Sequence, residues 1–249
     1  MINLPKSPKP PKEIPQELYD RFIMNNRVEV KNWYINQTRG SKKPRYYKTK
    51  QIDRLIKKAE KRKTYYYGQT DVALYKALDK YNIAGKSVVI MGSVRPWYES
   101  ICLSYHARCT TIEYNKIICH DSRLKVMTVD EYDKNPIRFD MGISISSFEH
   151  DGLGRYGDPI NPDGDLEAMK NMKHIIKKDG LLFLSVPVAR DVLVWNACRV
   201  YGDIRFPLLI KDWELLEAYK TSLNRFQKYF NKLFGQLLYP QPVFVLRNI

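Results

Sequence analysis

Long apolar runs are missing from this chain: nowhere in its 249 residues do the eighteen or so consecutive apolar side chains that cross a bilayer stand together. The opening Met-Ile-Asn-Leu-Pro-Lys-Ser-Pro-Lys-Pro-Pro-Lys also lacks the apolar core of a signal peptide. The chain therefore reads as soluble and, by default, cytoplasmic. Cysteine is scarce: Cys102, Cys109, Cys119 and Cys198 show no metal-type spacing, which argues against a zinc site and favours reduced thiols. Acid is scarce in the first third. Residues 1–87 carry 21 Lys and Arg against 8 Asp and Glu, whereas the remainder carries 21 against 19.

What is present is 44% hydrophobic residues, enough for one sizeable α/β domain with an appendage. The basic excess concentrates in residues 39–63, beside Tyr46, Tyr47 and Tyr65 to Tyr67. Such a segment suits an anionic partner, with nucleic acid the less favoured one because no nucleic-acid motif accompanies it. Ile52, Leu55, Ile56 and Ala59 fall at helical spacing, so the same residues describe an amphipathic helix with lysines in water. This solvated-face reading is preferred. Residues 1–49 read as an extended or partly disordered basic segment, 50–85 as a helical extension and 86–249 as the main domain. A second helix is expected over 70–81.

From Lys86 onward short apolar runs alternate with helical patterns. Strands are expected at 87–91, 110–114, 125–129, 141–145 and 181–186, and helices at 97–105 and 166–177, with Asp165 as the N-cap of the latter. Further on, the pattern suggests helix around Trp195, strand over 205–210, helix over 212–222 and a last strand at 243–246. This alternation predicts a mostly parallel sheet covered on both faces. Ligands of such sheets sit beyond the carboxyl ends of the strands, at the point where the winding reverses. Four edges follow as candidates: 92–97, 113–115, 130–131 and 146–151.

Gly92 lets backbone approach a nucleotide-like ligand, and Glu113, about twenty residues on, can accept hydrogen bonds from both ribose hydroxyls. Gly92, Ser93, Arg95, Glu113, Tyr114, Asp130 and Ser146 are the candidate cofactor-binding residues. After the fourth strand come Glu149, His150 and Asp151, where a histidine among carboxylates can be tuned as a base. His150 is the preferred base, with Glu149 and Asp151 beside it, and capping of a turn is the competing role. Arg155, Tyr156 and Asp158 offer a polar fork and an aromatic surface for a substrate, with Trp195 and Asn196 able to close over it. Asn161, Asp163 and Asp165 lack the glycine placement of a calcium loop, so no metal site is expected.

These elements resemble the class I S-adenosylmethionine-dependent methyltransferase fold, a Rossmann-like sheet of seven mostly parallel strands with helices on both faces, here preceded by a basic helical extension. A narrower resemblance rests on Gly92-Ser93, Pro96-Trp97-Tyr98-Glu99, Glu113-Tyr114-Asn115, the whole of 146–159, Val186-Pro187, Trp195-Asn196 and 199–205. These look like the uncharacterised family called domain of unknown function 268. The resemblance implies S-adenosylmethionine as cofactor and methyl transfer as activity, here to a small-molecule or carbohydrate hydroxyl. Residues 90–96 depart from the methyltransferase pattern in keeping one glycine and no acid, and Arg95 could pair there with a carboxylate or phosphate. A protein that kept the fold, lost catalysis and uses its basic segment to engage an anionic partner is the alternative.

Overall fold

The computed structural model describes residues 9–38, 44–234 and 238–249. The start of the basic tail and the cations of 39–43 lie outside the described residues. In chain order the elements are α1 (Tyr19–Phe22), β1 (Glu29–Asn32), β2 (Arg45–Tyr47), α2 (Thr49–Glu60), α3 (Gln69–Lys80), β3 (Ser87–Met91), α4 (Trp97–Ser104) and β4 (Arg108–Glu113). There follow β5 (Ile117–Cys119), β6 (Leu124–Thr128), α5 (Val129–Lys134), β7 (Phe139–Ile145), α6 (Gly164–Ile175) and β8 (Ile176–Ser185). The chain ends with β9 (Val192–Trp195), β10 (Cys198–Val200), α7 (Arg205–Leu209), β11 (Trp213–Tyr219), α8 (Arg225–Phe234) and β12 (Val243–Asn248).

Seven strands form the central sheet in the order β11, β12, β8, β7, β3, β4, β6. The strands from β8 to β6 run parallel, and β12 is antiparallel to both of its neighbours. Alternation along the strands feeds two cores. Val88 and Ile90 pack with Ile143, Phe183 and Val245 against Leu55, Leu74, Leu78 and Ile101 of α2, α3 and α4. Val89 faces the other way with Leu182, Leu184 and Phe244, against Met169, Met172 and Leu209 of α6 and α7. The winding reverses between β3 and β7, and in sheets of this kind the carboxyl ends at such a reversal are where ligands bind.

Helix α2 has the expected apolar stripe, with Ile52, Leu55 and Ala59 buried. Two smaller sheets are built from outside the main one: β2 pairs parallel with β5, and β1 pairs parallel with β9, which turns back antiparallel into β10. No helix of the described residues is long and apolar enough to cross a membrane.

Three local expectations are corrected. The run around Trp195 is a strand, because all four of Val192, Leu193, Val194 and Trp195 are buried and three of them are branched or β-branched apolar residues that suit a sheet covered on both sides. Residues 205–209 are helical and 213–219 form an edge strand, the reverse of the sequence pattern. The helix is set by a remote acid: the Asp191 carboxylate accepts the backbone N–H groups of Gly202, Ile204 and Arg205 at 2.9, 2.9 and 3.0 Å. Asp163, not Asp165, occupies the N-cap position of α6, while Asp165 is buried in an ion pair with Arg205.

Candidate functional site

The tip of β3 turns at Gly92, whose φ is +72°, a conformation glycine adopts without penalty. A Cβ at this position would collide with Ser147 Oγ, so the tips of β3 and β7 are in contact. The next residue carries the turn across to β4: Ser93 N–H donates to Glu113 Oε2 at 2.8 Å. Glu113 Oε1 is engaged only loosely, by Asn115 N–H at 3.4 Å, and the side chain remains 12% exposed.

The N-terminal segment supplies the rest of this corner. Arg45 donates to Ser93 O at 3.0 Å and stands 3.4 Å from Glu113 Oε2. The fully buried Tyr47 places its hydroxyl 2.8 Å from Ser93 Oγ. Arg95 turns outward and donates to the Tyr65 hydroxyl at 2.6 Å. Tyr114 is 54% exposed beside Glu113, and Asp130 is exposed on the first turn of α5.

At the tip of β7, Ser146 has φ +51° and donates to Glu149 Oε1 at 2.5 Å. Gln241 Nε2 donates to the same Ser146 Oγ at 3.3 Å, and the Tyr67 hydroxyl also bonds Ser146. Glu149 is wholly buried, and its Oε2 has no hydrogen-bond partner among the described residues. Burial pushes its carboxyl up to about 7, against the opposing pull of the Ser146 hydroxyl.

His150 lies 2.6 Å through Nδ1 from Ala197 O. That contact places the ring proton on Nδ1 and leaves Nε2 bare, 3.7 Å from Glu149 Oε1. Burial, and then the Arg155 cation, push this imidazole down to about 3. Asp151 is also held above its ordinary range by burial, and Asp158 adds to the effect.

The following loop is held from within. The Asp158 carboxylate accepts the N–H groups of Gly152, Gly154 and Tyr156 at 2.9, 3.0 and 3.2 Å, so it fixes the turn. Arg155 bonds Gln37 and Ala197 O and lies over the half-buried Tyr156 ring, which meets His150 edge-on. The Tyr156 phenol is raised first by burial and then by the charges of Glu149 and Glu113, against the lowering effect of the Arg155 cation. Glu113 ends β4, and Glu149 follows the tip of β7; β3, whose turn touches both tips through Ser93 and Gly92, lies between those two strands in the sheet. Trp195 and Asn196 face inward instead: Trp195 packs edge-on against Phe22, and Asn196 accepts Ile35 N–H at 2.8 Å and donates to Leu153 O at 3.3 Å.

Sequence reasoning missed Arg45, Tyr47, Tyr67, Gln241 and Glu99. Glu99, on α4, is wholly buried, accepts the Thr111 hydroxyl at 2.8 Å, has an unpartnered Oε2 and is pushed up by burial to about 7. Its place in the Pro96-Trp97-Tyr98-Glu99 run was a signal; the pairing of β2 with β5 had none.

The model of the family described as Caenorhabditis protein of unknown function, DUF268, matches residues 85–238. The chain belongs to this family. No curated protein matches it. Among solved structures, it is similar to the 1,6-didemethyltoxoflavin-N1-methyltransferase of Burkholderia thailandensis, crystallised with 1,6-didemethyltoxoflavin and S-adenosylhomocysteine. That similarity has a TM-score of 0.54 at 13% identity and covers 73% of this chain and 79% of that one. The N-methyltransferase NodS of Bradyrhizobium japonicum is also similar, with a TM-score of 0.49 at 13% identity over 71% of this chain and 92% of the other. This DUF268 member therefore has the Rossmann-like methyltransferase fold expected from its sequence.

Proposed function

We propose that this DUF268 protein is an S-adenosylmethionine-dependent methyltransferase acting on a small-molecule or carbohydrate hydroxyl. The observation that supports this reading is that Gly92, Glu113 and the run from Ser146 to His150 stand at the tips of the neighbouring strands β3, β4 and β7, at the switch point of a methyltransferase sheet. The groups present fit the cofactor: a partly exposed carboxylate ends the second strand, with one oxygen available to ribose hydroxyls. Gly92, Ser93, Glu113, Tyr114, Asp130 and Ser146 would hold it, while Arg95 is already bonded to Tyr65. The bound cofactor supplies an electrophilic methyl group on its sulfonium.

The chain's own work is to orient the acceptor and take its proton. Glu149 suits that second task better than His150. A carboxyl tuned to about 7 is half ionised at neutral pH and retains driving force, whereas an imidazole held at about 3 is a weak base. His150 instead positions Glu149, and Tyr156 and Arg155 form the acceptor's wall. Calorimetric titration with S-adenosylmethionine and S-adenosylhomocysteine tests the reading. Binding that disappears in Glu113→Ala is expected.

No heat at millimolar ligand would overturn it in favour of a non-catalytic binding protein. The crowding of Gly92 by Ser147 and the exposed cations Lys48, Lys50, Arg54, Lys57, Lys58 and Lys61 favour that second reading. Its anionic partner would be revealed by salt-sensitive binding.

A further inference from the structure

The corner that presents Glu113 is not made by the sheet alone. Strand β2 lies outside the matched family region, yet Arg45 reaches across 48 residues of sequence to Ser93 O. Its seat is firm: β2 pairs residue for residue with β5, Arg45 N–H donates to Lys116 O at 3.2 Å, His120 N–H donates to Tyr47 O at 2.9 Å, and Tyr47 is fully buried. The two groups that hold the Glu113 carboxylate converge on one oxygen. Oε2 takes Ser93 N–H at 2.8 Å and faces the Arg45 guanidinium at 3.4 Å, which leaves Oε1 with a single long contact from Asn115 N–H at 3.4 Å.

A glutamate left to itself samples many rotamers, and each hydroxyl it must bind then bears the cost of ordering it. Pinned through Oε2, this one presents Oε1 in a fixed place. The same arginine clamps the Ser93 carbonyl, so the turn after Gly92 and the acid after β4 move as one unit. We infer that Arg45 is a positioning residue of the cofactor site, contributed by the N-terminal segment, which holds Glu113 ready for the vicinal hydroxyls of an adenine nucleoside. The inference rests on the cofactor reading above. It also gives the basic segment a role that its charge alone did not suggest, and it offers a substitute for the acid and glycines that the β3 turn lacks.

The test is a double-mutant cycle read by calorimetry with S-adenosylhomocysteine on the full chain: wild type, Arg45→Ala, Arg45→Lys, Glu113→Gln and the Arg45→Ala/Glu113→Gln double variant. Arg45→Ala is expected to weaken binding about tenfold, the scale of one charged hydrogen bond. Arg45→Lys should recover part of that loss. The double variant should bind no worse than Glu113→Gln, because an arginine that acts through the carboxylate has nothing to act on once the carboxylate is gone. Thermal melting of each variant reports the fold, and Arg45→Gln carries the same cycle if the alanine variant loses its cooperative melt. Unchanged affinity in Arg45→Ala, or losses that multiply in the double variant, overturn the inference and leave the cofactor reading standing. No binding by the wild type removes both.

Discussion

Buried acids at two places in this one chain, Asp165 on the one hand and Glu99 and Glu149 on the other, are treated in opposite ways. Asp165 is wholly buried but saturated. Arg205 donates to both of its oxygens at 2.6 and 2.9 Å, the Tyr201 hydroxyl adds a third bond at 2.9 Å, and Arg199 lies 3.5 Å away. Despite burial, these partners hold its carboxyl below the ordinary range. Glu149 and Glu99 are equally buried; among the described residues neither has a cation bonded to it and each has one oxygen without a hydrogen-bond partner, and burial raises both to about 7. Burial alone therefore does not decide a carboxyl's state; the partners do. The saturated cluster ties α6 to α7 and the β10 region, whereas Glu149 follows the tip of β7 and Glu99 stands on α4, the helix that follows β3.

The comparison breaks hardest if Asp165 is stripped of its main partner. Arg205→Ala leaves a buried carboxylate with one hydroxyl and a more distant guanidinium, and a loss of about 3–5 kcal/mol is expected in urea unfolding. A loss under 1 kcal/mol would mean that the cluster does not hold the fold together.

Next in size is the pH response of Glu149→Gln. In the folded protein the carboxyl keeps its proton up to about 7, against an ordinary value of 4.5. Between those values the native state binds more protons than the unfolded state, so this group makes the wild type less stable as pH rises. Glutamine cannot ionise. The variant should therefore gain on the wild type from pH 5 to pH 8 by on the order of 3 kcal/mol, measured as the difference in unfolding free energy at the two pH values. A difference that does not change with pH would return Glu149 to the class of Asp165. On the proposed function the same ionisation would set the activity profile, with turnover expected to rise through about pH 7 in the wild type.

Much of the sheet was legible because its strands are short, apolar and bounded by turns, as at Val88 to Ile90 and Ile143 to Ile145. Of the candidate site, what was legible is the placement at strand tips: Gly92, Glu113 and the run from Ser146 to His150 all stand there. What failed was whatever depends on remote partners. Residues 213–219 carry Glu214 and Glu217 among apolar side chains and read as helix until β12 pairs with them along one edge. Asp165 looked like a cap because its arginine lies 40 residues further on. The roles of Arg45 and Tyr47 depend on a strand pairing across some seventy residues, and Glu99 and Glu149 differ from Asp165 in nothing that a single sequence displays.

The smallest expected effect separates the two kinds of buried acid most finely, because it removes a single hydroxyl donor from one of each. Tyr201→Phe takes one bond from a carboxylate that keeps Arg205 and Arg199, so a loss of about 1 kcal/mol is expected. That loss should be the same at pH 6 and pH 8, since a carboxyl held below its ordinary range is ionised at both. Thr111→Val removes a hydroxyl donor from Glu99 Oε1, while Oε2 already has no partner among the described residues, so the ionised form is left less satisfied. Because Glu99 ionises across this interval, the Thr111→Val penalty should be greater at pH 8 than at pH 6, as read by the shift in melting midpoint at each pH. If the Tyr201→Phe loss grew with pH as steeply as that of Thr111→Val, the distinction between a saturated structural acid and a poised one would fail at both positions at once.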